Sequence, residues 1–397
     1  STFYTAPIQQ YNTFNCFINM LINLRNLVIV VLTLTFTSCD DKNTTTPDPN
    51  IVLQLDSVDV RLDTLSTSLD APWGMEFVNE GVLITDKSGD LLFWNREDIK
   101  TISGTPTFRR VGQGGLLDVC KHPDFESNNL IYLCGSAGSD NSSLSTTLFR
   151  GELLGTSLSN VEEIFSANPR NSSGRHFGAR IVFDNDGFLY LSFGDRGEMM
   201  TSQDLTNHNG TVIRLNDDGT VPSDNPFFNT DNAQPEIWSY GHRNIQGMSI
   251  HPETGEIWTH EHGPRGGDEI NVLKKGANYG WPLASYGIDY DGDIITQDTF
   301  VEGTERPIYS WVPSIAPCGM DFYNSDSIPQ WKGSLFIGAL AKQHLNRITL
   351  SGDQVSSEER LLQNMARFRD VKEGPDGYLY IVTEAPGMLL RIRPKWD

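Results

Sequence analysis

The stretch Asn185-Asp186-Gly187-Phe188-Leu189-Tyr190-Leu191 decides the fold. An Asp-Gly turn comes directly before a run of apolar and aromatic residues, which is the pattern of a tight turn followed by a β-strand. The same unit recurs, twice in a looser form, at 79–84, 128–133, 253–258, 331–337 and 375–381. No stretch shows a sustained helical period, so the sequence predicts an all-β protein.

A single β unit of this kind cannot bury both of its faces. Radial stacking of four-stranded blades buries them and leaves only short sheet edges. The six units therefore predict a six-bladed β-propeller of four-stranded blades, and a pair of β-sandwiches is the alternative. Long insertions between units, such as 289–312, are expected on one face of the propeller, where they build the site.

The first 55 residues are expected to lie outside this fold. We interpret 1–19 as a non-native upstream extension, 20–39 as a lipoprotein signal peptide and 40–55 as a flexible tether, which leaves 56–397 for the propeller. The signal ends in a small residue before Cys39, which would be lipidated and would anchor the chain to the membrane. This predicts an outer-membrane lipoprotein in the bacterial periplasm or at the cell surface. A plain membrane anchor, or a cleaved signal with a chance cysteine, is the alternative.

The net charge excludes one class of partner, and the cysteines leave two possibilities for a disulfide. The 397 residues have a formal net charge of −21, which argues against nucleic acid as a partner, because phosphates demand basic surfaces. Cys120 and Cys134 flank a predicted hairpin formed by 116–121 and 130–135. They either form a disulfide or remain two free thiols, since the sequence does not fix their geometry.

A histidine and an aspartate are the first candidates for chemistry. His176 lies in a Gly/Ser/Arg-rich loop just before a predicted strand, and its pKa near neutrality suits it to accept a proton from a bound hydroxyl. Asp195 follows one strand later, where a carboxylate is placed to orient the imidazole. The alternatives are a hydrogen-bonded structural histidine and a turn aspartate that caps its own backbone.

Eight short blocks occur in the order typical of the glucose/sorbosone dehydrogenase family, which the chain resembles over residues 65–395. The blocks are Pro72-Trp73-Gly74-Met75, Gly112-Gln113-Gly114-Gly115-Leu116-Leu117-Asp118, His122-Pro123-Asp124-Phe125, His176 to Arg180, Gly194-Asp195-Arg196-Gly197, Gly241-His242-Arg243-Asn244, Gly263-Pro264 and Arg367-Phe368-Arg369-Asp370-Val371. The resemblance implies a quinoprotein sugar dehydrogenase that uses pyrroloquinoline quinone (PQQ) and calcium.

The resemblance assigns roles to the candidate pair and to three further residues. It implies that His176 is the general base that takes the proton of the sugar's anomeric hydroxyl, and that Asp195 supports it. Gln113 matches a glutamine of the substrate pocket. Arg243 matches an arginine near the reactive quinone carbonyl, and Asn244 matches a neighbouring cofactor contact.

The implied metal and cofactor contacts come from two other blocks. Gly263 and Pro264 match the pair whose backbone carbonyls bind the active-site calcium, a hard cation that prefers oxygen. Arg367 and Arg369 match two arginines that hold PQQ carboxylates. Alternation along a strand would put both guanidiniums on one face, and their planar forks suit carboxylates.

Three departures from the best-known glucose dehydrogenases favour the broader aldose sugar dehydrogenase branch. Arg175 replaces the aspartate that precedes the catalytic histidine there. The cofactor lysine of the family aligns with Ala341, and the adjacent Lys342 is the candidate replacement. The long loops of the dimeric glucose enzymes are missing or short.

The predicted function is oxidation of an aldose at its anomeric carbon to a lactone, with hydride transfer to PQQ and reoxidation by an external acceptor, a quinone or a cytochrome. The alternatives are a non-catalytic propeller lipoprotein that binds glycans or a protein, and a calcium-dependent sugar lactonase. His260 and His262 lack a third ligand at matching spacing, so zinc or copper is not expected. Asp268-Glu269 either binds a second calcium or orders its loop.

Overall fold

The computed structural model of the chain describes residues 51–54, 58–79 and 81–396. The predicted extension and signal peptide, with Cys39, lie outside the described residues. Regular structure within the described part is almost entirely β-strand, as the sequence predicts. None of the helices in these ranges is long and apolar enough to cross a membrane.

The strands form six antiparallel sheets, which are the six predicted blades of a propeller. The chain begins with β1 (Ile51–Gln54) and β2 (Asp59–Ser66). Blade 1 contains β3 (Pro72–Val78), β4 (Gly81–Asp86), β5 (Leu91–Trp94) and β6 (Ile99–Thr101). Blade 2 contains β7 (Leu116–Lys121), β8 (Leu130–Ala137), β9 (Ser145–Leu154) and β10 (Ser157–Ser166). Blade 3 contains β11 (Ile181–Phe183), β12 (Leu189–Ser192), β13 (Thr211–Leu215) and β14 (Ile237–Tyr240).

The remaining three blades follow in chain order. Blade 4 contains β15 (Ile245–Ile250), β16 (Ile257–Glu261), β17 (Asp268–Val272) and β18 (Tyr309–Trp311). Blade 5 contains β19 (Pro317–Tyr323), β20 (Ser334–Ala339), β21 (His344–Ser351) and β22 (Gln354–Leu361). Blade 6 contains β23 (Phe368–Glu373), β24 (Leu379–Glu384) and β25 (Gly387–Pro394). The helical elements are the short α1 (Phe125–Asn128) and two 3₁₀ turns, Met199–Gln203 and Pro329–Trp331.

The two ends of the described chain close the ring in blade 6. Its sheet has the order β1-β2-β25-β24-β23, so it has five strands where each of the others has four. Strand β2 pairs antiparallel with β25, from Val60 opposite Pro394 to Ser66 opposite Leu389. The ring is therefore closed by a strand from the amino-terminal side of the chain hydrogen-bonded to the last strand.

The repeated sequence unit is the turn and second strand of each blade. Its six copies coincide with β4, β8, β12, β16, β20 and β24. The first strands of successive blades, β3, β7, β11, β15, β19 and β23, contact one another in a closed ring. Six clusters of buried hydrophobic side chains lie one at each junction between neighbouring blades. Each blade thus buries its faces against its two neighbours, which is the reason the sequence predicts a ring.

Arg180, immediately before β11, ties the first strands together in the interior. Its guanidinium lies 3.3 Å from Asp118 of β7 and 3.2 Å from Asp370 of β23, and it stacks 4.0 Å from the ring centre of Trp73 of β3. It also donates to the carbonyl of Gln246 of β15 at 2.8 Å. The three charged side chains are almost fully buried. Burial raises the pKa of Asp118 to about 6, although Arg180 opposes that shift.

Three sequence expectations are corrected or resolved here. Ile51–Gln54 form a strand paired with β2, so the tether predicted over 40–55 does not include them. The insertion predicted over 289–312 contains β18, the fourth strand of blade 4. Cys120 and Cys134 are free thiols, because Cys120 stands opposite Tyr132 rather than opposite Cys134 in the β7–β8 ladder.

Replacing Arg180 by methionine should lower the free energy of unfolding by about 3–5 kcal/mol, because it leaves two carboxylates buried without their cation. Chemical denaturation of both proteins measures the loss. Arg110→Met is the matched control, since Arg110 pairs with Asp70 at 3.1 Å on the exposed surface and should cost less than about 1 kcal/mol. Equal losses in the two variants would contradict the role given to Arg180.

Candidate active site

Two sets of loops meet on one face of the propeller and supply the candidate residues. The loops before the first strands contribute Gln113, His176, Arg243, Asn244 and Arg367. The loops after the second strands contribute Lys87, Asp195, His262, Gly263 and Glu384. In a blade of antiparallel strands, the start of the first strand and the end of the second lie at the same end. The topology alone therefore brings these distant residues together.

A cavity of about 240 Å³ opens among these loops and is lined by three cations around one carboxylate. Glu384 accepts from Nζ of Lys87 at 2.7 Å, from Nη2 of Arg369 at 2.8 Å and from Arg367 at 3.3 Å. Burial alone would raise the pKa of Glu384, but Arg369 and Lys87 outweigh it and lower this pKa to about 2. The ionised carboxylate holds the cations in place and leaves an excess of positive charge in the cavity.

The cations also have unused hydrogen-bonding capacity. Nε of Arg369 is buried and has no hydrogen-bond partner among the described residues. The same is true of Nε of Arg243. Arg369 is 7% exposed and otherwise donates to Glu384 and to Sγ of Cys318 at 3.1 Å. Buried donors without partners are uncommon in folded proteins. These two donors lie beside the cation-lined cavity, and their positive charge favours an anionic ligand there.

His176 and Asp195 form a hydrogen-bonded pair beside the cavity. Nδ1 of His176 lies 2.6 Å from Oδ1 of Asp195, and no described residue hydrogen-bonds Nε2 of the ring. The remaining carboxylate oxygen of Asp195 accepts from the indole N–H of Trp281 at 2.8 Å. The next residues after the histidine, Phe177 and Gly178, line the cavity. The pair is therefore arranged to hold an imidazole with one nitrogen available for a substrate.

The backbone of His176 is in a strained conformation that its neighbours hold. Its φ is +52°, in the left-handed region that costs a non-glycine residue on the order of 1 kcal/mol. Its backbone N–H donates to Oε1 of Gln113 at 2.7 Å. Position 194 must be glycine, because a Cβ there would meet the carbonyl oxygen of His176 at 2.2 Å. The side chain of Gln113 and the glycine at position 194 thus hold this histidine in place.

The surroundings keep the imidazole neutral and the carboxylate ionised. Burial lowers the pKa of His176 below its ordinary value, with help from Arg243, although the bond to Asp195 opposes that shift. Burial would raise the pKa of Asp195, but its hydrogen bond and charge interaction with His176 outweigh burial and lower it. A neutral histidine next to a carboxylate is the protonation state that a general base requires at neutral pH.

Arg243 and Asn244 lie between the histidine pair and the loop that follows β16. Nη1 of Arg243 donates to the carbonyls of His262 at 3.1 Å and Gly263 at 3.0 Å. Its backbone carbonyl accepts from the N–H of Asp195 at 2.9 Å. Asn244 lines the cavity, and its Oδ1 accepts from the backbone N–H of Gly178 at 3.2 Å. Both residues are buried and are held by the backbone of neighbouring blades.

Asp268 orders the loop that presents Gly263 and Pro264. Its carboxylate accepts from the backbone N–H groups of Gly263 at 2.9 Å, Ile315 at 2.8 Å and Ala316 at 3.0 Å, as well as from Ser314. These contacts support the loop-ordering alternative for Asp268. Glu269 instead faces Glu261 across β16 and β17, and burial together with that neighbour raises the pKa of Glu269 to about 8.

Metal-binding side chains are not grouped in the described part of the chain, where no set of three or more His, Cys, Asp or Glu residues is placed for a metal ion. His260 and His262 do not converge on a common point. Nε2 of His260 is 3.2 Å from the carbonyl of Gly319, and Nε2 of His262 is 2.7 Å from the carbonyl of Pro317. Each ring therefore bonds a different backbone carbonyl through Nε2, and Nδ1 of His260 is buried without a hydrogen-bond partner among the described residues.

The structure brings three of the five cofactor residues inferred from the sequence into this cavity and places Arg243 beside it, against the carbonyl of Gly263. Arg367 and Arg369 line the same cavity, as strand alternation predicts, together with Gln113 and Asn244. Lys342 does not line it: its side chain is exposed on the loop after β20. The lysine of the cavity is Lys87, from the equivalent loop of blade 1.

Sequence reasoning missed Lys87, Glu384 and Trp281. Two of them could have been found from their position in the repeat. Lys87 directly follows β4, and Glu384 is the last residue of β24, and both of these are second strands of blades. This is the same place that Asp195 occupies in blade 3. Trp281 had no such signal, since it lies in the insertion between β17 and β18 and reaches Asp195 of the neighbouring blade.

Fold and site together define a β-propeller with a cation-lined cavity beside a histidine–aspartate pair. Residues 69–391 match the glucose/sorbosone dehydrogenase family. The aldose sugar dehydrogenase YliI of Escherichia coli is 44% identical over 347 residues, which are 85% of this chain and 93% of that protein. The chain belongs to the glucose/sorbosone dehydrogenase family.

Two solved structures are similar along nearly their whole length. The apo form of the soluble aldose sugar dehydrogenase of Escherichia coli has a TM-score of 0.81 and 42% identity, and the match covers 84% of this chain and 99% of that one. The PQQ-bound form of an aldose sugar dehydrogenase from Streptomyces coelicolor has a TM-score of 0.69 and 25% identity, with 87% and 97% covered. The resemblance inferred from the eight sequence blocks is confirmed.

Replacing Asp268 by alanine should lower the free energy of unfolding by about 3 kcal/mol, because three backbone N–H groups lose their buried acceptor. It should also expose the 263–267 loop to limited proteolysis. Asp291→Ala is the control, since Asp291 is exposed and accepts only from the backbone of Asp293 at 2.9 Å. Thermal unfolding and timed digestion compare the two variants, and equal behaviour would rule out loop ordering by Asp268.

Proposed function

We propose that this chain is a PQQ- and calcium-dependent aldose sugar dehydrogenase that oxidises the anomeric carbon of sugars to lactones. The observation that supports the proposal best is the convergence of residues from five blades on one cavity and its rim. Lys87 of blade 1, Gln113 of blade 2 and Arg367 and Arg369 of blade 6 line the cavity. The His176–Asp195 pair of blade 3 and Arg243 of blade 4 lie at its rim. Family membership supports sugar oxidation, and the PQQ-bound relative supports the choice of cofactor.

The charges that line the cavity support a ligand with several carboxylates. Lys87, Arg367 and Arg369 face a single protein carboxylate, Glu384, so the cavity keeps a net positive charge before any ligand binds. Arginine forks bind carboxylates through two parallel hydrogen bonds, and the side chain of Arg367 is 39% exposed at this cavity. We propose that these three cations, with Asn244, hold PQQ. When bound, PQQ supplies a quinone that accepts hydride.

Calcium is proposed at the backbone carbonyls of Gly263 and Pro264, which are oxygen donors of the kind that this ion prefers. Arg243 already donates to the carbonyl of Gly263 at 3.0 Å, so a metal there would share that oxygen with a guanidinium. The described side chains add no acidic ligand set. Calcium binding should therefore depend on the cofactor, whose own oxygens would have to complete the coordination.

The residues of the chain have distinct tasks in the proposed reaction. Nε2 of His176 takes the proton from the anomeric hydroxyl, and Asp195 holds the other ring nitrogen and stabilises the imidazolium that forms. Arg243 places positive charge where negative charge develops on the acceptor. Gln113 fixes the backbone of His176 and faces the cavity, where it is placed to contact the sugar.

The two rival functions are less well supported by the geometry. A non-catalytic glycan- or protein-binding propeller has no need for a buried histidine–aspartate pair beside a cation-lined cavity. A calcium-dependent lactonase needs several acidic side chains around its metal, and the described residues place no such group together. An external acceptor, a quinone or a cytochrome, completes the proposed cycle by reoxidising the cofactor.

Export and lipid anchoring through Cys39 remain proposals from the sequence. The residues on which they rest lie outside the described part of the chain. We propose that the propeller faces the periplasm or the cell surface as an outer-membrane lipoprotein.

Purified chain reconstituted with PQQ and calcium should reduce a redox dye when supplied with an aldose from a panel of neutral sugars. His176→Gln should lower kcat by at least about 100-fold, because it removes the general base, and should leave PQQ binding unchanged. Steady-state dye reduction and absorbance titration measure the two quantities. Absence of turnover with every sugar, or an unimpaired His176→Gln variant, would overturn the proposed function.

Lys87→Gln should weaken PQQ binding about tenfold, because one charge-assisted hydrogen bond to a carboxylate contributes roughly 1.4 kcal/mol. Lys342→Gln is the matched control and should leave the affinity within about twofold. Equilibrium titration with PQQ, without any sugar, provides the measurement. The opposite ranking would show that the lysine after β20 serves the cofactor and that the assignment of Lys87 is wrong.

A further inference from the structure

The carboxylate of Asp195 is bonded on both of its oxygens. The residue is 1% exposed, so its oxygens depend on protein donors. Oδ1 accepts from Nδ1 of His176 at 2.6 Å and from the backbone N–H of Gly197 at 2.7 Å. Oδ2 accepts from Nε1 of Trp281 at 2.8 Å. This indole is the only donor that the described residues offer to Oδ2. None of the residue roles in the proposed reaction involves this indole.

Trp281 is itself firmly fixed. It is 5% exposed, and its backbone N–H donates to the carbonyl of Gly241 at 2.8 Å. Its carbonyl accepts from Oγ of Ser202 and from Nε2 of Gln203, each at 2.7 Å. Its ring centre lies 5.4 Å from the guanidinium carbon of Arg243. One rigid ring therefore lies against both the partner of the histidine and the cation of the site.

We propose that Trp281 is a positioning residue: its indole N–H fixes the rotation of the Asp195 carboxylate and so directs Nε2 of His176 toward the substrate. The inference rests on the proposed function, because it concerns the efficiency of the same base. A buried carboxylate oxygen that lost its donor would turn to find another, since an unsatisfied charged acceptor is costly. The imidazole bonded to the other oxygen would move with it.

The indole also changes the charge that His176 meets. The charged and titratable groups facing this ring are Asp195, Arg243, Arg175 and His262. Asp195 raises the pKa of the imidazole, and the two arginines lower it. A donor on Oδ2 disperses the negative charge of the carboxylate. Removing that donor should concentrate the charge on the oxygen facing the ring, stabilise the imidazolium and raise the pKa of His176.

The test compares Trp281→Phe with wild type in two assays. In the first, kcat and kcat/KM for an aldose are measured against pH with PQQ and calcium present. We expect kcat about tenfold lower, KM little changed, and the acid limb of kcat/KM about 0.5 to 1 pH unit higher. In the second, NMR follows the titration of the His176 ring in the chain without cofactor, and its pKa should rise by the same amount.

Trp311→Phe is the matched control. Trp311 is also buried in the propeller, and its Nε1 has no hydrogen-bond partner among the described residues, so this change removes an indole without removing a bond. It should leave both assays at wild-type values. The inference would be overturned if Trp281→Phe and Trp311→Phe had the same acid limb of kcat/KM and the same pKa of His176. If no protein turns over, the proposed function fails, while the NMR titration still decides the role of Trp281.

A measurement on folded protein covers the case in which Trp281→Phe does not fold. The indole proton of Trp281 in wild type should exchange slowly with solvent, and its chemical shift should change clearly in Asp195→Asn. An indole proton that exchanges rapidly and does not respond to Asp195→Asn would contradict the proposed bond.

Discussion

Arg180 is the interaction on which the interior of the propeller depends, because it contacts the first strands of all five other blades. These contacts are Trp73 of β3, Asp118 of β7, Gln246 of β15, Cys318 of β19 and Asp370 of β23. Two buried carboxylates near the axis would repel each other without it. A single guanidinium therefore holds the six first strands together. The loops that build the candidate site are positioned by these strands.

The candidate site uses the same kind of electrostatics for another purpose. The whole chain is strongly acidic, with a formal net charge of −21, but the cavity above the inner ring contains more cations than carboxylates. Glu384 holds Lys87, Arg367 and Arg369 together and does not neutralise them. Buried positive charge without a balancing partner is expensive. A cavity that keeps such charge is suited to an anionic ligand, as the proposed cofactor would be.

The fold was predictable because the repeat is local and regular. Each Asp-Gly turn and its following strand became the turn and second strand of a blade, and blade number followed from counting them. The pair of His176 and Asp195 was predictable because their loops flank the first two strands of one blade, β11 and β12. The fifth strand of blade 6 was not, because Ile51–Gln54 follow a polar, tether-like segment and pair only with the neighbouring β2.

Side-chain contacts between neighbouring blades could not be predicted from the sequence. Lys342 is adjacent to Ala341, the position that aligns with the family lysine. Its side chain on the loop after β20 is nevertheless exposed. Lys87 is 297 residues from its partner Glu384, and Trp281 is 86 residues from Asp195. Each pair meets only when two blades pack together, and the Lys87–Glu384 pair also requires closure of the ring, so neither spacing nor local pattern indicates them. Lys87, Asp195 and Glu384 all lie at or just after the end of a second strand, so in similar propellers we expect site residues at these positions.

The proposed function depends on the claim that Lys87, Arg367 and Arg369 hold the carboxylates of the cofactor. Calorimetric titration of the chain with PQQ and with its trimethyl ester tests this claim most directly, because the ester keeps the ring system and lacks the carboxylates. Binding of PQQ should be at least about 1000-fold tighter than that of the ester, since three charge-assisted contacts are lost. Equal affinity for the two compounds, or no binding of PQQ, would contradict the account.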